Sequence, residues 1–232
     1  DNMRCNLMEK KNVIITGASG EVAQSVIAEF LKNDWNIIAA THRTPLHDSL
    51  RNHKNITEIH CDSTDENDVI SLCSSHTYHA IIHLVGGIKA GTPLTDTTTA
   101  TLHDMFTLNT LSTFLILREG MRYFSQNNGG VIITVASQSA LQAQVNKSAY
   151  SAAKAAVISL TKTAAEEGKH HNIRANCIVP GIIRTKSNIS WAENGEEHYW
   201  TDPDDIAKTM VFLSSDAGKG INGAILPLLG TL

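Results

Sequence analysis

Short β-branched runs alternate with segments of helical period along this chain, and nothing else in it limits the fold so strongly. The runs lie at residues 13–16, 36–40, 56–61, 80–85, 131–135, 174–179 and 224–229. Helical patterns fill most of the gaps, at 22–33, 65–75, 102–127, 148–169 and 203–213. A strand, a helix and a further strand close as a right-handed crossover, so these runs should pair in parallel with helices on both faces. The last helix is well signed. Asp202 can cap it, Pro203 suits its first position, and Ile206, Met210 and Leu213 share a face. The two longest irregular stretches, 86–99 and 184–201, both follow the carboxyl end of a strand. In open α/β sheets that edge holds the ligand crevice.

A chain of 232 residues is long enough for one sizeable domain of this class. We take residues 11–232 as that domain and residues 1–10 as a leader or expression remnant, since Met8 precedes a lysine pair and the first strand; DNMRCNL lacks an apolar secretory core. The formal charge of −4 comes with no basic tail or stripe, which argues against nucleic acid as a partner. No apolar run approaches the length of a bilayer span, so no membrane partner is expected. The four cysteines, Cys5, Cys61, Cys73 and Cys177, are scattered without a CxxC and read as free thiols of a reducing, cytoplasmic compartment. The 11 histidines include the pair His170-His171 but no HExxH or Cys/His cluster. No metal site is expected, and the histidines should lie on the surface.

The first strand runs into Gly17-Ala18-Ser19-Gly20-Glu21-Val22-Ala23 and then a helix. Such a turn lets backbone amides approach a pyrophosphate, and the helix N-terminus favours the negative charge. Gly17 would make the sharp turn, Gly20 would allow close approach, and Ala23 would permit tight helix–strand packing. Taken alone, the same residues also suit a plain β–α turn. After the second strand comes Ala39-Ala40-Thr41-His42-Arg43, with one arginine and no acid. An acid there would bind the 2′-hydroxyl of NAD, whereas an arginine accommodates the 2′-phosphate of NADP, so NADP(H) is favoured.

The second informative segment is Ser148-Ala149-Tyr150-Ser151-Ala152-Ala153-Lys154. Tyr150 and Lys154 fall on one face of a helix. A free phenol titrates near a pKa of about 10, too high for proton transfer at neutral pH, and a nearby ammonium would lower it. Such a pair can serve as a general acid/base. Ser137 precedes Tyr150 by thirteen residues, and Asn109 lies within the long helical pattern before it.

In these features the chain resembles the short-chain dehydrogenase/reductase family, in its short single-domain branch, over residues 11–230. The resemblance rests on five blocks in order: TGASGEVA, LNTLSTF around Asn109, VASQS before YSAAK, NIRANCIVPGIIRT, and PDDIAKTMVFLSSD. It implies a Rossmann fold with seven parallel strands in the order 3-2-1-4-5-6-7 and an NAD(P)(H)-dependent oxidoreductase. It also implies roles for individual residues. Tyr150 would exchange a proton with a carbonyl or alcohol, Lys154 would bind the nicotinamide ribose and lower the Tyr150 pKa, and Ser137 would bond the substrate oxygen. Asn109 would hold a proton-relay water. Gly17, Ser19, Gly20, Glu21 and Val22 would form the pyrophosphate turn, and Arg43 would meet the 2′-phosphate. Asp62 would meet the adenine, and Gly86 and Gly87 the adenosine ribose. Pro180, Gly181, Ile182 and Thr185 would flank the nicotinamide amide. The helix around Asn109 and the helix carrying Tyr150 would form subunit interfaces, giving a homotetramer or, failing that, a dimer.

Three departures stand out. The glycine turn is TGxxGxxA, where the short branch usually shows TGxxxGxG; Glu21 replaces a usual Gly and either points away from the phosphates or weakens cofactor binding. Leu84-Val85-Gly86-Gly87 stands where Asn-Asn-Ala-Gly is usual. The C-terminal ILPLLGTL lacks the usual Asp-Gly-Gly. Residues 184–201 form the expected substrate lid, with Trp191, His198, Tyr199 and Trp200 either facing an apolar substrate or anchoring the loop. The substrate is expected to be a small carbonyl or alcohol. Within the enzyme class a 3-oxoacyl thioester reductase and a dihydropteridine-like reductase both stay open. From another class, a cofactor-binding sensor or scaffold without turnover is the alternative.

Overall fold

The computed structural model describes residues 10–230. Apart from Lys10, the segment read as a leader lies outside the described residues, as does Cys5. The strands are β1 (Asn12–Thr16), β2 (Asn36–Thr41), β3 (Ile56–His60), β4 (Ala80–His83), β5 (Gly130–Val135), β6 (Ile173–Pro180) and β7 (Ile225–Leu228). They form one seven-stranded sheet in the order 3-2-1-4-5-6-7, every pair parallel. The helices are α1 (Glu21–Lys32), α2 (Asp48–Arg51), α3 (Glu66–Ser74), α4 (Thr99–Met105), α5 (Ser112–Gln126), α6 (Ser148–Gly168), α7 (Lys186–Ile189) and α8 (Pro203–Ser214).

Successive side chains of β1 divide the core. Val13 and Ile15 pack with Val26 and Phe30 of α1 and Met210 of α8. Ile14 packs on the other face with Val69 of α3 and Ile116 and Phe124 of α5. Each such side chain contributes about 1.5–3 kcal/mol when fully buried, so the strand register and the helix faces fix one another. Strand β1 lies between β2 and β4, with Val13 opposite both Ile37 and Ala80. The chain order reverses between β1 and β4, and a crevice opens at their carboxyl ends.

The capping expected at α8 is present: the Asp202 carboxylate accepts from the Asp204 amide at 2.9 Å. The single helix expected over 102–127 is not. Helix α4 starts after Thr98, whose hydroxyl accepts from the Thr101 amide, and gives way to a π-helical turn, Phe106–Leu111, before α5 begins. That wide turn carries Asn109. Such a turn inserts one extra residue into the helical pattern, and the Asn109 side chain it carries is held by Gly87, 22 residues away, a contact that the sequence period does not report.

Candidate active site at the carboxyl edge of the sheet

A cavity of about 700 Å³ lies at the carboxyl ends of β1, β2, β3 and β4. Gly17, Ser19 and Gly20 line one part of it; Ala40, His42, Arg43 and Thr44 a second; Asp62 to Thr64 a third; and Leu84 to Gly86 a fourth. Gly17 has φ +67°, and a Cβ there would come within 3.1 Å of the Val85 amide nitrogen. Gly20 precedes α1 and offers no side-chain cap, so the first amides of the helix carry their partial positive charge towards the turn. Ala23 is buried in the core, the packing role expected of it, with Val22 partly buried beside it. Glu21 has an unexpected partner. Its Oε2 accepts from both the amide and the hydroxyl of Ser187, each at 3.2 Å, across 166 residues of chain.

On the side expected for adenosine, Asp62 is held by the amide and hydroxyl of Thr64 at 2.9 and 2.8 Å. Burial alone would raise its pKa, but those bonds and the nearby His42 and Arg43 bring the carboxyl below its usual value. Arg43 itself is exposed at the cavity wall.

Lys154 is only 5% exposed, and its ammonium donates to the Val135 carbonyl at 2.9 Å. Burial pulls its pKa down to about 8. The Asn109 amide donates to the carbonyls of Gly87 (2.9 Å) and Met105 (3.0 Å), and its Oδ1 accepts from the Gly87 amide at 3.1 Å. A Cβ on Gly86 would lie 2.8 Å from Asn109 Oδ1 and 2.9 Å from Lys154 Nζ, and one on Gly87 would lie 2.7 Å from Leu108 Cδ2. The glycine pair that replaces the usual motif is therefore a place of close approach. Tyr150 lies one turn before Lys154, half-buried. Burial pushes its phenol up, opposed by a hydrogen bond with Ser137. The lowering of Tyr150 expected from Lys154 is not met: burial dominates, and the ammonium is taken up by Val135. Ser137 lies two residues beyond β5 and also contacts the Ser139 hydroxyl at 3.0 Å.

Pro180, Gly181, Ile182 and Thr185 leave the carboxyl end of β6, beside β5, and do not line the 700 Å³ cavity. Beyond them the lid segment is closed at its base. Ile183 bridges Thr201, the Thr201 amide donates to Ile182 at 2.8 Å, and Arg184 pairs with Asp202. Its two tryptophans contact each other at 4.9 Å; Trp200 is 9% exposed and Trp191 53%. Trp200 thus anchors the loop, and Trp191 faces outward.

Sequence reasoning missed His83. Histidines were expected on the surface, yet this one is 1% exposed at the end of β4, bonded to Thr16 and Ser112. Its signal was a polar residue closing an apolar strand just before the glycine pair. Among the described residues no cluster of three His, Cys, Asp or Glu could hold a metal, and no helix is long and apolar enough to cross a membrane.

A parallel sheet in this order with a glycine turn at the switch point defines the dinucleotide-binding class of α/β fold, and Ser137, Tyr150 and Lys154 lie together beyond β5. Residues 11–196 match the family model described as short chain dehydrogenase, and the chain belongs to that family. It is 30% identical to (+)-borneol dehydrogenase 1 of Salvia officinalis, covering 96% of this chain and 94% of that one. It is 27% identical to a 7alpha-hydroxysteroid dehydrogenase of Bacteroides fragilis, over 98% and 96% of the two chains. The NADP-bound structure of ElxO is similar with a TM-score of 0.86 and 26% identity, over 96% of this chain and 98% of that chain. The chain is a short-chain NAD(P)-dependent dehydrogenase/reductase.

Proposed function

We propose that the protein is an NADP(H)-dependent oxidoreductase that interconverts a small carbonyl compound and its alcohol, with Tyr150 as the general acid/base. The observation that carries this is the convergence of Ser137, Tyr150 and buried Lys154 at the carboxyl end of β5. The Gly17 turn, the bare start of α1 and the close approach at Gly86 fit a dinucleotide running from Arg43 and Asp62 towards Lys154. When bound, the nicotinamide supplies or accepts the hydride. The rest falls to side chains. In the reductive direction the Ser137 hydroxyl donates to the substrate oxygen as negative charge develops there. Tyr150, protonated at neutral pH because burial raises its phenol, gives its proton to that oxygen. The Lys154 ammonium lies in the same buried region, where it would hold the nicotinamide ribose, and Asn109 holds the route by which the proton is replaced. In the oxidative direction the same groups take the proton away.

Arg43, at the end of β2 where no acid stands, supports the preference for the 2′-phosphate. The lid at 184–201, with Trp191 and Tyr199 exposed, and the exposed Leu141 and Val145 between Ser137 and Tyr150, support an apolar substrate. Borneol and 7α-hydroxysteroids, named for the relatives, are secondary alicyclic alcohols, and the proposed substrate is of that class. The direct test is Tyr150→Phe, assayed with NADPH and cyclic ketones. Turnover should fall by about 10²–10⁴-fold, while fluorescence titration shows NADPH binding kept. Retained turnover contradicts the assignment of Tyr150. Tight NADPH binding without turnover in the parent protein favours a sensor.

A further inference from the structure

His83, Thr16 and Ser112 form a buried chain of hydrogen bonds that no step above uses. Thr16 Oγ1 lies 2.7 Å from His83 Nδ1, and His83 Nε2 lies 3.2 Å from Ser112 Oγ. Ser112 Oγ lies 2.6 Å from the Leu108 carbonyl. All three side chains are at most 1% exposed.

The direction of each bond follows from chemistry. A carbonyl only accepts, so the single hydroxyl hydrogen of Ser112 goes to Leu108. Ser112 Oγ can then only accept from His83, which places the ring hydrogen on Nε2. Nδ1 is left as an acceptor and takes the Thr16 hydroxyl. Burial and the charge of Lys154 keep the ring neutral, consistent with one hydrogen on the imidazole.

The chain joins three functional pieces. Thr16 immediately precedes the Gly17 turn, and His83 pairs with it across β1 and β4 and immediately precedes Leu84 to Gly87. Leu108 belongs to the π-helical turn, and its neighbour Asn109 faces Gly87. The Asn109 carbonyl is taken by the Thr113 hydroxyl at 2.7 Å. Two hydroxyls thus hold the carbonyls of consecutive residues in the wide turn, and one of those hydroxyls is oriented by His83.

We propose that His83 is a positioning residue. Its neutral Nε2–H tautomer orients Ser112, which fixes the π-helical turn so that the Asn109 amide meets Gly87 beside Lys154. This rests on the proton-relay reading of Asn109.

Two measurements on the cofactor-free protein and one on turnover test it. Nitrogen-15 NMR of the imidazoles should show His83 neutral, protonated at Nε2 only, from about pH 6 to 8. In Ser112→Ala, which removes the link with little change of volume, hydrogen exchange at the Gly87 amide and the Asn109 side-chain amide should speed up about tenfold. In the same variant kcat should fall about tenfold while the NADPH dissociation constant moves far less. His83→Gln, whose amide can still donate to Ser112, should keep more of kcat than His83→Leu. In an Asn109→Ala background, Ser112→Ala should cost almost nothing more.

An Nδ1–H or doubly protonated His83 overturns the proposal. So does parent-level kcat in Ser112→Ala when Asn109→Ala is impaired, or an undiminished Ser112→Ala loss in the Asn109→Ala background. If Asn109→Ala alone keeps parent turnover, the relay reading of Asn109 fails and takes the proposal with it. Should His83→Leu not fold, the NMR and the Ser112→Ala comparison decide.

Discussion

Arg43 and Lys154 mark two ends of one proposed binding mode, and each makes a prediction at its own scale. Arg43 stands at the end of β2 among Ala40, His42 and Thr44, with Asp62 across the cavity held ionised by Thr64. A guanidinium on a 2′-phosphate is a charge-assisted contact, and losing one costs about 1.5–3 kcal/mol, or about tenfold or more in affinity. Arg43→Ala should therefore raise the KM for NADPH by about that factor and leave the KM for NADH nearly unchanged. Equal losses with both cofactors in steady-state assays contradict the NADP preference. Lys154 bears on pH. Its ammonium titrates near 8, pulled down by burial, so it is charged below that value and neutral above it. Tyr150 is pushed the other way and keeps its proton across the same range. If the ammonium is the active form, kcat/KM for the cofactor, which reports groups of the free enzyme, should decline as pH rises through about 8. A profile flat to about pH 10, the ordinary range of a lysine, excludes that requirement.

At the scale of elements, what the sequence disclosed and what it hid have different causes. The strands and their parallel pairing follow from alternation and crossover handedness, their order from the family resemblance, and β1 to β7 lie within two residues of the expected runs. The Tyr150–Lys154 pairing on α6 is a consequence of helical period alone. The π-helical turn at Asn109 was not legible, because its Asn109 side chain is held on both its polar atoms by Gly87, 22 residues away. His83 was hidden for the same reason: its partners are 67 and 29 residues away. Glu21 is the plainest case. In sequence it is an awkward acid inside a glycine turn; in the fold it bonds Ser187 at the start of α7 and so pins the lid to α1. Each such bond is worth about 0.5–1.5 kcal/mol, less where solvent reaches it as it does at this surface. Glu21→Ala should accordingly speed tryptic cleavage after the exposed Lys186 by about threefold to tenfold. Glu21→Gln keeps an acceptor and should cleave near the parent rate. If the two variants cleave alike, the contact does not hold the lid.

For the whole molecule, the single sheet leaves its helices with unequal outer faces. The outward side of α5 and the turn before it presents Leu111, 40% exposed, and Phe114, 41% exposed. Arg118 lies over the Phe114 ring at 5.5 Å and also pairs with Glu66 and Glu119. Residues 111, 114 and 118 are spaced to share one side of a helix, so the apolar pair is bordered by an ordered ionic rim. An apolar centre with a polar rim is the anatomy of a protein–protein interface. It coincides with the helix that, from the family resemblance, was expected to join subunits. The C-terminal segment, by contrast, lacks the usual Asp-Gly-Gly and ends in the short β7 at the sheet edge. If only the α5 face associates, the protein is a dimer; if the edge near β7 associates as well, it is a tetramer. Phe114→Asp tests the α5 face, since it replaces the apolar centre with a carboxylate whose neighbour Arg118 is already paired with Glu66 and Glu119, and burying that charge costs several kcal/mol. Light scattering of the parent should give a homotetramer, and the Phe114→Asp variant should fall to a smaller species with its thermal midpoint little changed before dissociation. A parent protein that is monomeric at assay concentration contradicts the assembly. A tetramer that survives Phe114→Asp moves the interface away from α5.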